Sequence, residues 1–393
     1  MDRLWTKPFI VLTLAMLFLG TGFYLLLPTL PLYIQKLGGT DSQIGLAAGA
    51  FTIAAVAFRP LVGALLDRYG RRLFILWGLA AFTLCMVLYD WAAGIAALML
   101  LRMLHGVSWA VTTTSIFTSI TDSIPASRRA EGMGWSGTAM TVAMAVGPLL
   151  GLWVLEHFSY PYLFAFAAAL SAVSILLALG ARIPFRPKAA ARMVFFDKSL
   201  APIAAGVFFL AVAYGGVTTF LPLFAGSIGV NAGHFFLIYA ITLTLIRPLA
   251  GSLSDRRGEL AVIVPGLGLT VAALVVLGNA GGLTGVITAA VLYGMGTGAS
   301  QPALQAAVLR MAHPERKGAA NASFLTAFDL GIGLGSIGLG WVSQYLGYPS
   351  LFLISAVSAA VSLFIAAVFV SRMLKHRVPV QESDPIIQTT EGV

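Results

Sequence analysis

Arg59-Pro60-Leu61-x-Gly63-x-Leu65-x-Asp67-Arg68-x-Gly70 recurs 188 residues later as Arg247-Pro248-Leu249-x-Gly251-x-Leu253-x-Asp255-Arg256-x-Gly258, each named element at the same offset. The register then holds without a net insertion. Gly106 maps to Gly294, Gly147 to Gly335, and Tyr160-Pro161-x-Leu163-Phe164 to Tyr348-Pro349-x-Leu351-Phe352. Two homologous halves therefore fill nearly all of the 393 residues. Solenoid repeats run to about 20 to 50 residues, so a repeat of this length in an apolar chain points to a transporter built from paired bundles.

Hydrophobic residues make up 59% of the chain and charged residues 10%, far from the mixture of a soluble domain. Apolar stretches long enough to cross a hydrocarbon core as a helix recur from end to end. There are twelve, six per half, at roughly 8–33, 43–66, 73–89, 93–118, 132–155 and 161–182, then 200–225, 234–254, 260–280, 283–310, 319–344 and 349–371. They are continuous rather than alternating, which predicts an all-α integral membrane protein and excludes a barrel. Because six is even, the second half re-enters the bilayer in the orientation of the first. The two bundles are then related by a pseudo-two-fold axis along the membrane normal, with the substrate path at their interface near the midplane.

The net charge of +9 raises nucleic acid as a partner, and the placement of the basic residues decides against it. Arg3, Lys7, Arg68, Arg71, Arg72, Arg128, Arg129 and the group from Arg182 to Lys198 fall on one side of the predicted spans. Arg256, Arg257, Arg310, Arg316, Lys317 and the group from Arg372 to Arg377 fall on that side too, and only Lys36 lies on the other. This is the positive-inside pattern, and it places both termini in the cytoplasm of a multi-pass cell-membrane protein, on composition a bacterial inner-membrane one. The first apolar segment is too long for a signal-peptide core and lacks a small-residue cleavage site, so it is expected to stay as span one.

The expected organisation is an N-terminal six-helix bundle over 1–182, a cytoplasmic linker over 183–199, a C-terminal six-helix bundle over 200–371 and a disordered cytoplasmic tail over 372–393. The linker carries basic charge, two prolines and a short apolar patch, read as one surface turn of helix; the tail has Pro379, Pro385 and no helical periodicity. The loops on the outer side are too short for a ligand-binding ectodomain. Cys85 is the single cysteine, so a disulfide within the chain is excluded and a packing role is the default. No nucleophile with an adjacent base and no metal-ligand cluster stands out. An enzyme is therefore not expected, and neither are a cofactor or a metal.

The segment Gly63-Ala64-Leu65-Leu66-Asp67-Arg68-Tyr69-Gly70-Arg71-Arg72, between spans two and three, resembles the signature loop of the major facilitator superfamily at every defining position. The resemblance to the drug:proton antiporter branches of that superfamily covers essentially the whole chain. It implies that Asp67 and the arginines form a charge cluster latching the cytoplasmic side when the cavity opens outward. Glycine permits close helix approach, an aspartate can cap a helix start, and arginines supply donors to opposing helix ends. Asp255 and Arg256 repeat the core of the latch, but Glu259 stands opposite Arg71, and a weaker latch is expected in the second half.

Span four contains Leu98-x-x-x-Arg102-x-x-His105-Gly106-x-Ser108-Trp109-Ala110, which resembles the superfamily's arginine motif. About eight residues into a helix, Arg102 sits roughly 12 Å deep, where an arginine is functional by default. In proton-coupled relatives this arginine is linked to proton transfer. His105 stands one turn along, either as a second titrating group or as a polar lining residue. In span five, Ala143-x-x-x-Gly147-Pro148-x-x-Gly151 is similar to the antiporter motif of exporters, with Ala143 where glycine is usual. Proline kinks a helix and glycines let it pack tightly, which suits a pivot and seal.

Asp329 lies about ten residues from the inner end of span eleven, roughly 15 Å deep. Two readings stand open: a proton site, since burial disfavours the charged form of a carboxyl, or a structural ion pair with a buried arginine. Arg59 and Arg247, two turns before their aspartates, are expected to snorkel to the inner interface. Lining groups expected for the substrate cavity are Tyr24 in span one, Trp109, Thr112 and Thr113 in span four, Phe209 and Tyr214 in span seven, and Tyr293 and Gln301 in span ten. Aromatics with few charges suit an amphipathic, weakly polar or cationic ligand.

The sequence thus predicts a monomeric twelve-helix transporter in the lipid bilayer. It exports small molecules in exchange for protons, with Asp329, Arg102 and His105 in the coupling. The alternative on the same scaffold is a dedicated exporter of one metabolite. Applying the offset of 188 puts Ala290 opposite Arg102 and Thr141 opposite Asp329, so each of these buried charges occurs in one half only.

Overall fold

The computed structural model describes residues 4–92, 94–125, 128–181, 200–311 and 317–372. The linker 183–199 and the tail past Arg372 lie outside the described residues, as does the side chain of Asp67. Every regular element among the described residues is a helix. The first span is divided into α1 (Lys7–Tyr24) and α2 (Leu26–Lys36). Pro28 has no N–H for the Tyr24 carbonyl and Pro31 none for that of Leu27, so the hydrogen-bond ladder lapses just past Leu25.

The first half continues through α3 (Asp41–Tyr69), α4 (Arg71–Leu88), α5 (Ile95–Ser123), α6 (Arg129–His157) and α7 (Tyr160–Leu179). The second comprises α8 (Ala201–Ser227), α9 (Ala232–Arg257), α10 (Leu260–Gly278), α11 (Leu283–Met311) and α12 (Lys317–Ile365). A capping box starts α3: the Gln43 N–H donates to the Thr40 hydroxyl and the Thr40 N–H donates back to the Gln43 side chain. The helix stops at Gly70 with φ 88°, and its repeat image α9 stops at Gly258 with φ 82°. Both angles are left-handed, which explains glycine at the end of both copies of the motif.

Among the described residues eleven helical stretches are long and apolar enough to cross a membrane, the first of them α1 and α2 taken together. As one rod the 49 residues of α12 would measure about 73 Å, more than twice the hydrocarbon core. Gly347, with φ 79°, breaks it. Before the break Gly331 approaches the Phe208 carbonyl on α8. After it Ser358 donates to the Phe209 carbonyl at 2.8 Å and Ser362 to that of Gly206 at 2.7 Å. The chain therefore returns along the same helix, and α12 supplies the eleventh and twelfth crossings.

Lipid tails are as apolar as leucine, so close backbone contact has to do much of the work of holding membrane helices together. Here the contacts repeat. Gly106 of α5 lies against the Phe51 carbonyl of α3, and Gly294 of α11 against Tyr239 of α9. Gly78 of α4 meets Thr112 of α5, and Gly266 of α10 meets Ser300 of α11. Gly147 of α6 meets Tyr24 of α1, and Gly335 of α12 meets Val212 of α8. Each second pair is the first shifted by 188, so the sequence repeat is a repeat of packing.

Candidate functional site

The halves meet along two seams, α3 with α12 and α6 with α9, and α2 also packs on α8. One face of the molecule, the basic face, carries Arg68, Arg72, Arg256, Arg257 and Arg310 at the ends of α3, α9 and α11 and the start of α4. Toward the opposite face the α3–α12 seam is tight. A side chain on Gly45 would run into the Ser336 carbonyl, one on Gly49 into Ile337, one on Gly333 into Thr52 and one on Gly340 into the Asp41 carbonyl. Polar clamps finish it: Ser343 donates to Asp41 at 2.5 Å, Tyr348 to Asp41 at 3.3 Å, and the Ser42 N–H to Gln344 at 3.2 Å. Toward the basic face Gly63, Gly134, Gly137 and Gly251 all stand beside open space. The α3–α12 seam is closed toward the opposite face, while these four glycines near the basic face pack against nothing.

At mid-depth each seam carries an arginine. Nη1 of Arg59 on α3 lies 2.6 Å from the Asp329 carboxylate on α12, with about a fifth of each side chain exposed (21% and 23%). On the other seam Nη1 of Arg247 on α9 donates to the Thr141 hydroxyl on α6. The offset of 188 maps Arg59 to Arg247 and Thr141 to Asp329, so these contacts are images of one another. Neither arginine snorkels, contrary to the expectation from sequence; a partner across the seam holds each one at depth. Tyr24 lies within electrostatic reach of both arginines, and of Asp329 and Tyr239. Tyr214 packs on Phe328 with ring centroids 5.6 Å apart, and Tyr239 on Tyr293 at 5.6 Å. Phe209 and Gln301 are half-buried. Tyr239 and Phe328, which the sequence reading missed, belong to this wall.

Other expected lining groups are turned into the first half. Trp109 stacks on Phe23 at 4.2 Å, Thr112 is wedged against Gly78, and the Thr113 hydroxyl bonds the Trp109 carbonyl at 2.7 Å. Arg102 is buried between α5 and α3. Its Nε donates to the Ala47 carbonyl at 3.0 Å, its guanidinium sits 4.3 Å over the Phe51 ring, and the Tyr89 hydroxyl is also within its reach, whereas the partner of Asp329 is Arg59. His105 is enclosed by Phe23, Phe51 and Phe82, and its Nδ1 lies 2.9 Å from the Tyr89 hydroxyl. That cage is not an open lining position.

The signature loop sits on the basic face. Arg71 pairs with Asp122 at the end of α5, while Arg68, Arg72, Asp255 and Arg256 are exposed. In the second half Nη1 of Arg310 lies 3.0 and 2.9 Å from the two carboxylate oxygens of Glu259. Arg71 maps to Glu259 and Asp122 to Arg310, so the pair persists with its charges exchanged, and Glu259 does not leave the second half without one. In the helix-five motif Gly147 and Gly151 seat α6 on Tyr24 and Leu25, where α1 gives way to α2. Pro148 lies between them within α6. Among the described residues no group of His, Cys, Asp and Glu is arranged to hold a metal.

A family model described as Major Facilitator Superfamily matches residues 12–336 and 203–388. The staphylopine export protein of Staphylococcus aureus is 26% identical over 382 residues, covering 91% of this chain and 95% of that protein. The quinolone resistance protein NorA of the same species is 29% identical over 164 residues, 42% of each chain. Among solved structures, a bacterial homologue of the human lysosomal transporter Spinster, inward-facing and occupied, superposes with a TM-score of 0.77 at 18% identity. That match covers 94% of this chain and 97% of the other.

Proposed function

Because the chain belongs to the Major Facilitator Superfamily, we propose that it is a proton-coupled exporter of small amphipathic molecules working by alternating access. It is a membrane transporter and not an enzyme, as its family and relatives are. The observation that carries the coupling is the Arg59–Asp329 pair across the α3–α12 seam. An ionised Asp329 ties the halves together in the form open at the basic face, which the asymmetry of lysine and arginine makes the cytoplasmic face. Once the transporter has turned outward, a proton on Asp329 removes the anion and frees Arg59. The proton leaves when the basic face opens again and the pair re-forms. Each inward proton supplies about 2.3 kcal/mol per 100 mV to the outward step. The exposed arginines of the basic face and the Asp67 loop are the latch that closes behind the departing substrate.

Export is the direction favoured by the Gly147-Pro148 motif and by relatives named for export and drug resistance. In proteoliposomes, Asp329→Asn is expected to lose flux driven by a pH gradient while keeping substrate counterflow. Full gradient-driven flux in that variant would overturn the reading. A dedicated single-metabolite exporter is favoured by one observation: similarity to the staphylopine export protein runs the length of the chain, whereas that to NorA covers 42% of it. Competition by unrelated lipophilic compounds separates the two, being broad for a multidrug exporter and absent for a dedicated one.

A further inference from the structure

The two seams agree in geometry and differ in charge. Arg59 faces a carboxylate; Arg247, at the image position, faces a hydroxyl. That hydroxyl is already committed, since Thr141 donates its own proton to the Gly137 carbonyl at 2.9 Å. A guanidinium has five N–H donors. Of those on Arg247, Nη1 is used by Thr141, and Nε is buried with no hydrogen-bond partner. Among the described residues no carboxylate lies within 4.0 Å of Arg247. An unpaired cation at this depth is costly.

What surrounds Arg247 is aromatic. Tyr239, Tyr214 and Tyr24 lie within its electrostatic reach, and the hydroxyl of Tyr293, against Tyr239, is buried without a partner. The seam is also less closely packed than its image. At the positions equivalent to Gly49, Gly333 and Gly340 stand the larger Leu237, Ala145 and Leu152, while the equivalent of Gly45 is again a glycine, Gly233. Half-buried Arg247 is thus a positive charge with spare donors at the α6–α9 seam, with three tyrosines within electrostatic reach.

We infer that Arg247 binds the carboxylate of an amphipathic organic anion, the ligand supplying to the α6–α9 seam the negative charge that Asp329 supplies to the α3–α12 seam. This rests on the transport reading and narrows its substrate class away from cations. A carboxylate accepts two parallel N–H bonds from a guanidinium, and the apolar body of the ligand lies against Tyr24, Tyr214 and Tyr239. Both mid-depth arginines are then neutralised, one by the protein and one by the cargo.

The test is equilibrium binding to the full-length protein in neutral detergent without a pH gradient, using naphthylacetate and its uncharged analogue naphthylacetamide. The carboxylate is expected to bind about 30-fold or more tightly than the amide, as a desolvated charge pair does. Arg247→Gln should erase that preference and Arg247→Lys should keep part of it. Thr141→Asp fills the site from within and should abolish naphthylacetate binding in a protein that remains monodisperse. Equal binding of the two probes, or naphthylacetate binding unchanged by Arg247→Gln and Thr141→Asp, overturns the inference. So does a site that takes phosphatidylglycerol and refuses naphthylacetate, which would make the anion a lipid headgroup. Binding here needs no gradient. Carboxylate binding without pH-driven flux therefore sinks the coupling reading alone, and pH-driven flux in a protein that binds both probes equally sinks this one alone.

Discussion

The α3–α12 and α6–α9 seams are built on the same plan and put to different use. In the first, glycines at Gly45, Gly49, Gly333 and Gly340 let the backbones touch, and an arginine meets an aspartate. In the second, Leu237, Ala145 and Leu152 replace three of those four glycines and the equivalent arginine meets a threonine. A handful of substitutions in a duplicated scaffold thus separates a contact the protein completes by itself from one left open for a ligand. The difference also explains why pseudo-symmetry serves a transporter. In the mechanism proposed above both seams open and close together as the halves rock, so a proton acting at one and a cargo at the other would be coupled through rigid bundles without touching.

The comparison is broken most severely by moving the carboxylate. Asp329→Thr leaves Arg59 without its partner and should cost about 3 kcal/mol or somewhat less, given that both groups are partly exposed. Gradient-driven transport should fall about 100-fold or more. Adding Thr141→Asp to Asp329→Thr should restore most of the thermal stability, because the pair re-forms on the other seam, but not transport; melting and flux measured on the same preparations check both. A smaller effect is expected from Gly49→Leu, which gives α3 the residue its image has in Leu237. Overpacking should cost about 1 to 3 kcal/mol and hold the opposite face ajar. Faster labelling of a Ser42→Cys reporter, in a background where Cys85 is replaced by serine, would show it. The smallest effect belongs to Asp41→Asn. It weakens the clamp from Ser343 and Tyr348, for which the other seam, with Gly229 at the image position, has no counterpart. A loss of about 1 kcal/mol is expected in thermal melts, with transport preserved.

The crossings were legible because apolar length measures depth. Two of them were blurred at the level of local geometry: Pro28 divides the first span, and Gly347 is the short break that lets α12 count as two. The depth of Asp329 was legible for the same reason, but its partner was not. Spacing along a helix says how far in a residue lies and leaves open which way it points. Helices apolar on every side carry no stripe from which to read the direction. Arg59 was therefore assigned to the interface and Thr112 to the cavity, when Thr112 faces Gly78 of α4 and Arg59 faces α12. The repeat held the missing information. Arg59 aligns with Arg247 and Thr141 with Asp329, and two residues related in this crossed way are what a two-fold axis brings together at a seam.

Arg71 with Asp122, and Glu259 with Arg310, are the same contact written in opposite sign. Two halves descended from one ancestor share their helix surfaces, and a nascent chain threading into the membrane offers α4 two look-alike mates, α5 and α11. Only α5 attracts it: Arg71 beside Arg310 would repel, as would Glu259 beside Asp122. The inverted polarity therefore favours, by the modest amount a partly exposed ion pair contributes, each helix's mate in its own bundle over the look-alike in its twin.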